Sequence, residues 1–364
     1  MGPPPGGSSG AVLITDARVS VLKNLIASQT EPNYSNWLNL KTYADAELND
    51  SCHAVSDWTF PDTFVDPNGF LIPNPLDPAL ANDTKAAYGL ALAYRITGNE
   101  TYASKAASFI RCWDSTVTTL TTPNGADLVW SYQFPPMIWA ADLIKNSPNW
   151  SSSDANTFKD FVRYKSLPEN TMAVVDNWGD WGLDLVVSSA AYLQDQALFD
   201  AAVANYKFKI EDQISDGGEF RWGMTITGPG QMWYDVTVNN GYDGIHYSNF
   251  ELLGLSVSAQ IMKNNGVDLF NYVSPGGHSL QEAFNTMIPW ELDPSTFPYY
   301  PGTTYGVSAI GYMEILNNLW PTSGATTLLN TYRPAYENQV PFLTFTFGGI
   351  SPSILGAINF GPRQ

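Results

Sequence analysis

The sequence predicts an all-α protein built from repeated helical hairpins. The clearest hairpin begins at Asn82, where apolar residues recur at the i, i+3, i+4 and i+7 spacing of an amphipathic helix. Gly98 suits the left-handed position that ends such a helix, and a second apolar stripe follows it. The two stripes are Ala87, Leu90, Ala91 and Tyr94, then Tyr102, Ala106, Phe109, Ile110 and Trp113.

Similar helix pairs can be proposed along the rest of the chain, giving five to seven hairpins in all. Hairpins repeated in one chain form a solenoid or a closed toroid. The composition shows no shift that marks a linker, so we expect residues 11–364 to form one domain after a disordered leader or cloning remnant at 1–10. The further pairs are 11–28 with 38–48, 129–147 with 152–165, 176–194 with 196–214, 240–264 with 277–288, and 304–320 with 322–332.

Three segments do not show a helical pattern. Residues 53–80 are rich in Pro and Asn-Gly and predict a long surface loop. Residues 290–305 are rich in aromatic residues and proline, and a loop of this length usually has a binding role. Residues 341–350 alternate like a strand, which predicts minor β structure or a packed extended tail.

The chain is strongly acidic, with 17 basic against 35 acidic residues and a formal net charge of −18. This charge argues against nucleic acid and anionic membranes as partners. It also repels an anionic polysaccharide at long range, although salt screens that repulsion beyond about 10 Å. No apolar run reaches the ~18 residues of a membrane span, so we expect a soluble protein.

Two features indicate secretion into an oxidising compartment. Cys52 and Cys112 are the two cysteines, and an even pair predicts one disulfide between the N-terminal loop and the second helix of the Asn82 hairpin. Two buried free thiols are the alternative. Five N-x-S/T sequons predict a glycosylated surface, at Asn33, Asn49, Asn82, Asn99 and Asn149.

Aromatic residues are abundant, with 12 Trp and 19 Tyr. Many must belong to the core, but some stand beside polar residues in predicted loops or at helix starts, where they suit the flat apolar faces of sugars. Packing between helices is the competing explanation for each of them. The candidates for sugar binding are Trp178, Trp181, Trp222, Trp233, Tyr299 and Tyr300.

Two polar segments could carry chemistry. Residues 176–182 open a small-residue helix, in which Asp176 or Asn177 is either an ordinary N-cap or a cleft residue whose amide binds a ligand carboxylate. Residues 239–250 lead into an apolar helix and place His246 and Tyr247 where loop and helix meet. Histidine is suited to proton transfer near neutral pH. The other two histidines, His53 and His278, have structural explanations.

The sequence lacks the motifs of metal binding, phosphate binding and serine hydrolysis. The sequence has no HExxH, CxxC or histidine cluster for a metal, and no phosphate-binding glycine loop. It also lacks the GxSxG turn of serine hydrolases. We therefore expect no cofactor and no metal.

Several segments together resemble the alginate-lyase-like family of polysaccharide lyases. Residues 86–106 with Trp113, and the run 133–142, are similar to early helices of that family, while the Asn177 segment is similar to its Asn-bearing helix start. Residues 244–252 resemble its histidine/tyrosine motif. The resemblance covers roughly residues 80–350.

This resemblance implies an incomplete (α/α) toroid and β-elimination at a uronic acid. Asn177 and His246 would neutralise the carboxylate so that the C5 proton can be removed. Tyr247 would act as base and acid, with Tyr300 and Tyr305 as rivals. The expected partner is a polysaccharide substrate, and we expect a monomer.

The chain departs from the family pattern at two positions. The alginate-type enzymes place histidine after the asparagine and arginine shortly before the tyrosine, where this chain has Trp178 and Asn240. These changes favour glucuronan or another uronan over alginate. Arg221 or Arg333 could supply the missing positive charge.

Two other functions remain open from the residues alone. An inverting glycoside hydrolase on a similar toroid would use two carboxylates across a cleft, and a non-catalytic carbohydrate-binding protein would need only the aromatic loop. The carboxylates available to a hydrolase are Asp176, Asp180, Asp235 and Asp243.

Overall fold

A computed structural model describes residues 10–59, 76–121, 126–221, 243–298, 307, 309–335 and 339–349. Within these ranges the chain is mostly helical and follows the predicted order of hairpins. The helices are α1 (Asp16–Ala27), α2 (Asn33–Glu47), α3 (Leu76–Thr97), α4 (Glu100–Thr116), α5 (Ala126–Gln133), α6 (Pro135–Leu143), α7 (Ser152–Phe161), α8 (Asn177–Leu193), α9 (Gln196–Gln213), α10 (Asp243–Asn264), α11 (Leu280–Leu292), α12 (Tyr312–Leu319), α13 (Ser323–Tyr332) and α14 (Leu343–Phe347).

Local sequence signals set the ends of the helices. Gly98 has φ +72° between α3 and α4, as the sequence predicts. The Asn99 side chain then accepts a hydrogen bond from the Thr101 backbone N–H at 3.0 Å and caps α4. Between α8 and α9, Gln194 adopts a left-handed conformation and Asp195 caps the next helix. Tight caps of this kind place consecutive helices side by side as hairpins.

The hairpins pack into the all-α toroid that the sequence predicts. Helix α3 packs against α4 and α6, while α8 packs against α5, α9 and α10. The shared core includes fully buried aromatic side chains such as Trp113, Trp130, Trp139 and Tyr312. Helix α8 also packs against α6, so it lies among four helices that fix the position of its first turn.

Three of the predicted non-helical segments differ from the structure. Helix α3 begins at Leu76, six residues before Asn82, and a short strand β1 (Asp57–Thr59) lies in the segment predicted as loop. Strand β1 pairs in parallel with β2 (Thr119–Thr121). Helix α11 extends to Leu292, so Trp290 is buried in a helix and packs on Phe297 at 5.3 Å.

The predicted strand at 341–350 is wrong, because the described part of this tail forms helix α14. All five residues of α14 are buried. The Phe/Thr alternation therefore does not separate a buried face from an exposed one.

The predicted disulfide is confirmed, since Cys52 and Cys112 are bonded with their Cα atoms 6.4 Å apart. Cys52 follows α2 and Cys112 lies in α4, which joins the N-terminal segment to the hairpin of α3 and α4. No helix among the described residues is long and apolar enough to cross a membrane.

The five sequons differ in accessibility. Asn49, Asn82 and Asn99 are exposed, and Asn149 is half-buried. Asn33 is 1% exposed, and its Nδ2 donates to the Phe345 carbonyl at 2.9 Å. A glycan on Asn33 would require this buried contact to break, so the prediction of a surface acceptor at Asn33 is wrong.

Candidate active site

The candidate site lies where the first turn of α8 meets the face of α10 that carries Tyr247, Glu251 and Gly254. Tyr247, Glu251 and Gly254 recur at i, i+4 and i+7 and so share one face of α10. A Cβ atom on Gly254 would lie 3.3 Å from the backbone of Asp180, which shows that this face packs closely on α8. Burial raises the pKa of the Glu251 carboxyl, and a hydrogen bond from the backbone N–H of Asn177 opposes that rise in part. Tyr247, one turn before Glu251, therefore lies at the Asn177 end of the contact.

The first two turns of helix α8 pack so closely on the preceding segment that Gly179 and Gly182 have no room for a side chain. The Asp176 side chain accepts a hydrogen bond from the Trp178 backbone N–H at 2.9 Å and caps the helix. A Cβ atom on Gly179 would lie 1.8 Å from the Val174 carbonyl oxygen, and one on Gly182 would lie 2.2 Å from the Met172 backbone nitrogen. The space beside both glycines is thus filled by the preceding segment of the chain and not by a ligand.

A layer of buried charge supports this helix start. The Lys209 Nζ atom donates to the Val174 carbonyl at 2.7 Å and lies 3.5 Å from the Asp180 carboxylate. Burial raises the pKa of Asp180 to about 7, partly opposed by Lys209. Burial also raises the pKa of Glu251 well above its usual value, and the nearby Asp180 and Asp176 add to this effect. The layer ties α8, α9 and α10 together beneath the site.

This burial argues against Asp180 as a catalytic carboxylate of a hydrolase. Its side chain is 0% exposed and pairs with Lys209 inside the protein. Asp176 is engaged as the cap of α8. A hydrolase needs two carboxylates that face each other across an open cleft. Neither described residue meets that requirement.

An aromatic wall lies beside the helix contact. Trp181 is fully buried, with its ring 4.8 Å from Phe250 and 6.1 Å from Tyr132. The His246 ring stacks on Phe250 at 5.8 Å and lies 5.3 Å from the Tyr247 ring. The prediction of Trp181 as a sugar-binding platform is wrong, because Trp181 belongs to the core behind these rings.

The predicted site residues on these helices differ in exposure. His246, Tyr247 and Trp178 are half-buried, and Asn177 is 0% exposed. Burial does not remove Asn177 from the site, because it is the first residue of α8 and lies beside the Tyr247 face of α10. Because Asn177 is buried, a ligand that contacts it must reach the depth of the first turn of α8.

Tyr132, at the end of α5, is a neighbour that the sequence analysis missed. Burial raises the pKa of Tyr132, and the nearby Asp77 and Tyr247 raise it further. Asp77 accepts a hydrogen bond from the Gln133 side chain at 3.1 Å. Tyr132 directly precedes the run 133–142 that resembles the family, and that position was the signal available in the sequence.

The two predicted arginines do not offer a free positive charge at this place. Arg333 makes two hydrogen bonds to the buried Glu314 carboxylate, at 2.8 and 2.7 Å, so its charge is paired there, and its role in substrate binding stays a prediction. Arg221 is exposed, and it adds to the hydrogen bonds from Ser274 and Gly276 that lower the pKa of the Glu211 carboxyl. Glu211 lies on the opposite face of α9 from Lys209 and Gln213, so Arg221 lies on the solvent side of α9.

The remaining histidines have structural contacts. The His53 Nδ1 atom lies 2.7 Å from the Asp83 carboxylate, and that hydrogen bond raises the pKa of His53. His278 is buried, and its backbone N–H donates to the Ser274 side chain at 3.1 Å. Among the described residues, no group of three His, Cys, Asp or Glu side chains could hold a metal ion.

Several predicted site residues lie outside the described ranges, and they stay predictions. They are Trp222, Trp233, Asp235, Asn240, Tyr299, Tyr300 and Tyr305.

Comparison with known proteins identifies the family. The family model named Alginate lyase matches residues 75–297, which is more than half of the chain and includes α3 to α11. The chain belongs to the alginate lyase family. It is accordingly a polysaccharide lyase, and its substrate is a polysaccharide. No curated protein matched the chain in sequence.

Solved structures of alginate lyases share the fold of this family member. An alginate lyase from Bacteroides ovatus is 18% identical, with a TM-score of 0.71 over 93% of this chain and 99% of that one. Alginate lyase A1-III from Sphingomonas species A1 is 15% identical, with a TM-score of 0.63 over 86% and 91% of the two chains. A tyrosine-to-phenylalanine variant of alginate lyase A1-III, complexed with a tetrasaccharide, is 15% identical, with a TM-score of 0.70 over 93% and 97%.

Proposed function

We propose that this lyase cleaves a uronic-acid polysaccharide by β-elimination, with Tyr247 as the proton-transferring residue and Asn177 and His246 as the groups that neutralise the carboxylate. The observation that carries the proposal is the contact of α8 and α10. It brings the Tyr247 face of α10 against the helix start that holds Asn177. His246 lies next to Tyr247 in the same helical turn.

The chemistry follows from the acidity of the proton at C5. That proton is removed readily only when the attached carboxylate is held neutral, so that it can accept the developing charge. An amide and an imidazole are suitable donors for this purpose. The base takes the proton from C5, the C4–C5 double bond forms, and the C4–O4 bond breaks. The leaving O4 then takes a proton, so no water is consumed.

Tyr247 fits the proton-transfer role because its phenolate can take the proton from C5 and the phenol so formed can give a proton to O4. The raised pKa of Tyr132 keeps that neighbouring phenol protonated.

We further propose glucuronan or a related uronan as the substrate rather than alginate. Trp178 follows Asn177 and Asn240 precedes Tyr247, where the alginate-type enzymes have histidine and arginine. Trp178 is half-buried at the first turn of α8 and could pack against a sugar face. We also propose that residues 11–364 act as one catalytic domain, and that the protein is a secreted monomer with glycans at the accessible sequons.

The test is the ultraviolet absorbance of the 4,5-unsaturated product, measured with glucuronan and alginate side by side. Tyr247→Phe should lower kcat by at least about 100-fold, since general acid–base catalysis contributes that much. His246→Ala should lower kcat by at least about 100-fold as well, since removing one donor to the developing charge costs that much. Circular dichroism should show an unchanged fold. Tyr164→Phe, at a 70% exposed tyrosine remote from α10, is the matched control and should keep full activity.

Near-normal activity of the Tyr247→Phe variant would show that another residue transfers the proton. Release of reducing ends without the ultraviolet signal would instead indicate hydrolysis, and the β-elimination mechanism would then be wrong.

A further inference from the structure

A cavity at the opposite end of α10 from Tyr247 is lined by basic and amide side chains. It has a volume of about 400 Å³ and lies between α1, the last turn of α10, the last turn of α12, and Phe347 of α14. This volume is within the range of small-molecule sites. Asn264, on its wall, is 17 residues beyond Tyr247 on α10, which corresponds to about 25 Å along the helix axis. The cavity is therefore separate from the candidate active site.

Arg18 is the unusual residue of this cavity. It is 9% exposed, and its guanidinium lies over the Phe347 ring at 4.7 Å. Its Nη1 atom is buried and makes no hydrogen bond within the described residues. No described acidic side chain forms an ion pair with it, and burial lowers its pKa to about 10. A buried charge without an anionic partner is costly, so this arginine is kept at the expense of stability.

The rest of the wall has the groups that a hydroxylated anion would need. The two amide hydrogens of Asn318 donate to the Glu314 and Phe347 carbonyls, at 2.7 and 2.6 Å, which leaves its Oδ1 atom as an acceptor. Gln260 donates through Nε2 to Asn264 at 2.9 Å, so its Oε1 atom is likewise an acceptor. Ile315, Leu319 and Leu13 add apolar surface, and none of the described residues that line the cavity is acidic. In a chain of net charge −18, this composition is a local exception.

We infer that this cavity is a second binding site for a sugar acid, a monouronate or the end of a uronan chain. Arg18 would pair with the carboxylate, and the Asn318 and Gln260 oxygens would accept hydrogen bonds from ring hydroxyls. The apolar residues would face the C–H surface of the sugar. Recognition of a carboxylate rests on Arg18, whereas the choice of a uronate rests on the proposed function.

The experiment measures binding of D-glucuronate by calorimetry, with D-glucose and acetate as probes of the separate chemical groups. The wild-type full chain should bind glucuronate more tightly than either. Arg18→Met, which keeps a long apolar side chain against Phe347, should weaken this binding by at least about 10-fold. The same variant should have an unfolding temperature equal to or above that of the wild type, because an unpaired buried charge is removed. A merely structural arginine would instead give a lower unfolding temperature.

Two further variants test whether glucuronate binds in this cavity. Asn318→Asp places a negative charge on the cavity wall without touching Arg18 and should also weaken glucuronate binding. His246→Ala, at the candidate active site, should leave the Arg18-dependent binding intact. Equal affinity of the wild type for glucose or acetate would overturn the inference, as would undiminished glucuronate binding by both cavity variants.

Lyase assays run in parallel separate this inference from the proposed function. Arg18→Met should lose glucuronate binding and still cleave the polymer, which would support a separate site. If the wild type cleaves no uronan but shows Arg18-dependent glucuronate binding, the proposed function fails and the second site stands.

Discussion

Asp184 lies in the middle of α8 with its carboxyl fully buried. It accepts a hydrogen bond from the Ser188 hydroxyl at 3.2 Å, and its Oδ2 atom has no partner within the described residues. Burial raises the pKa of Asp184 well above its usual value, while Ser188 opposes this in part. In the folded protein the carboxyl therefore keeps its proton at a pH where the unfolded chain has lost it.

This shift predicts the direction of the pH dependence of stability. Between the ordinary pKa of an aspartate and its raised folded pKa, the native state binds more protons than the unfolded state. The free energy of unfolding then falls as pH rises, by up to about 1.4 kcal/mol per pH unit for one such group. Asp180 and Glu251 act in the same direction, because burial raises the pKa of each.

Replacing Asp184 with asparagine should reduce this slope. Asp184→Asn keeps the shape of the side chain and removes the ionisation, so stability should fall less steeply between pH 4 and the raised folded pKa. Urea unfolding at several pH values measures the slope. Asp160→Asn, at an exposed position on α7, is the control and should leave the slope unchanged. Equal slopes for Asp184→Asn and the wild type would show that Asp184 ionises normally in the folded state.

Part of the candidate site could be predicted from the residue types in the sequence. Tyr247 and His246 follow from a motif at a loop–helix junction, and the structure packs the next turn of that helix, at Phe250 and Gly254, against α8. The sequence could not distinguish Trp181 as a core residue from Trp178 at the first turn, because both follow polar residues at the same helix start. Their exposure depends on which faces of α8 meet α5 and α10, and this is a tertiary property. Tyr132 was missed for the same reason.

At the scale of elements, the covalent link between the segment after α2 and α4 should contribute most to the stability of the N-terminal hairpin. The disulfide closes a loop with a sequence separation of 60. The double variant Cys52→Ser, Cys112→Ser should lose about 4 kcal/mol of unfolding free energy in the chain-entropy account. Urea unfolding measures the loss, and wild-type protein with the bond reduced should match the variant. A loss below about 1 kcal/mol would mean that the unfolded chain is already compact there.

The hairpins were predictable because each pairs a 3.6-residue apolar period with a clear stop signal, such as Gly98 between α3 and α4. The tail was not predictable in this way. Its alternation of Phe and Thr fits a strand with one buried face, but every residue of α14 is buried against neighbouring helices. Periodicity cannot distinguish a short buried strand from a short buried helix. The strand pair of β1 and β2 was also missed, because three residues give no measurable period.

For the whole molecule, the net charge of −18 opposes the approach of a polyanion, although the proposed substrate is one. The field of the whole protein acts over distances that depend on salt. The screening length is about 30 Å at 0.01 M ionic strength and about 8 Å at 0.15 M. At low salt the substrate therefore meets the repulsion of most acidic surface residues. At higher salt it meets mainly the groups of the site itself.

Raising the ionic strength from about 0.01 to about 0.15 M with NaCl should increase kcat/KM for a uronan, by up to about 10-fold, because the encounter is repelled less. The product absorbance measures the rate, and kcat at saturating substrate should change much less than kcat/KM. A uronan with methyl-esterified carboxyls carries less charge and is the matched control, so any cleavage of it should depend weakly on salt. A fall in kcat/KM with added salt would mean that local attraction at the site exceeds the long-range repulsion. Cationic groups within a screening length of the bound uronate would then dominate the encounter, despite the acidic charge of the chain as a whole.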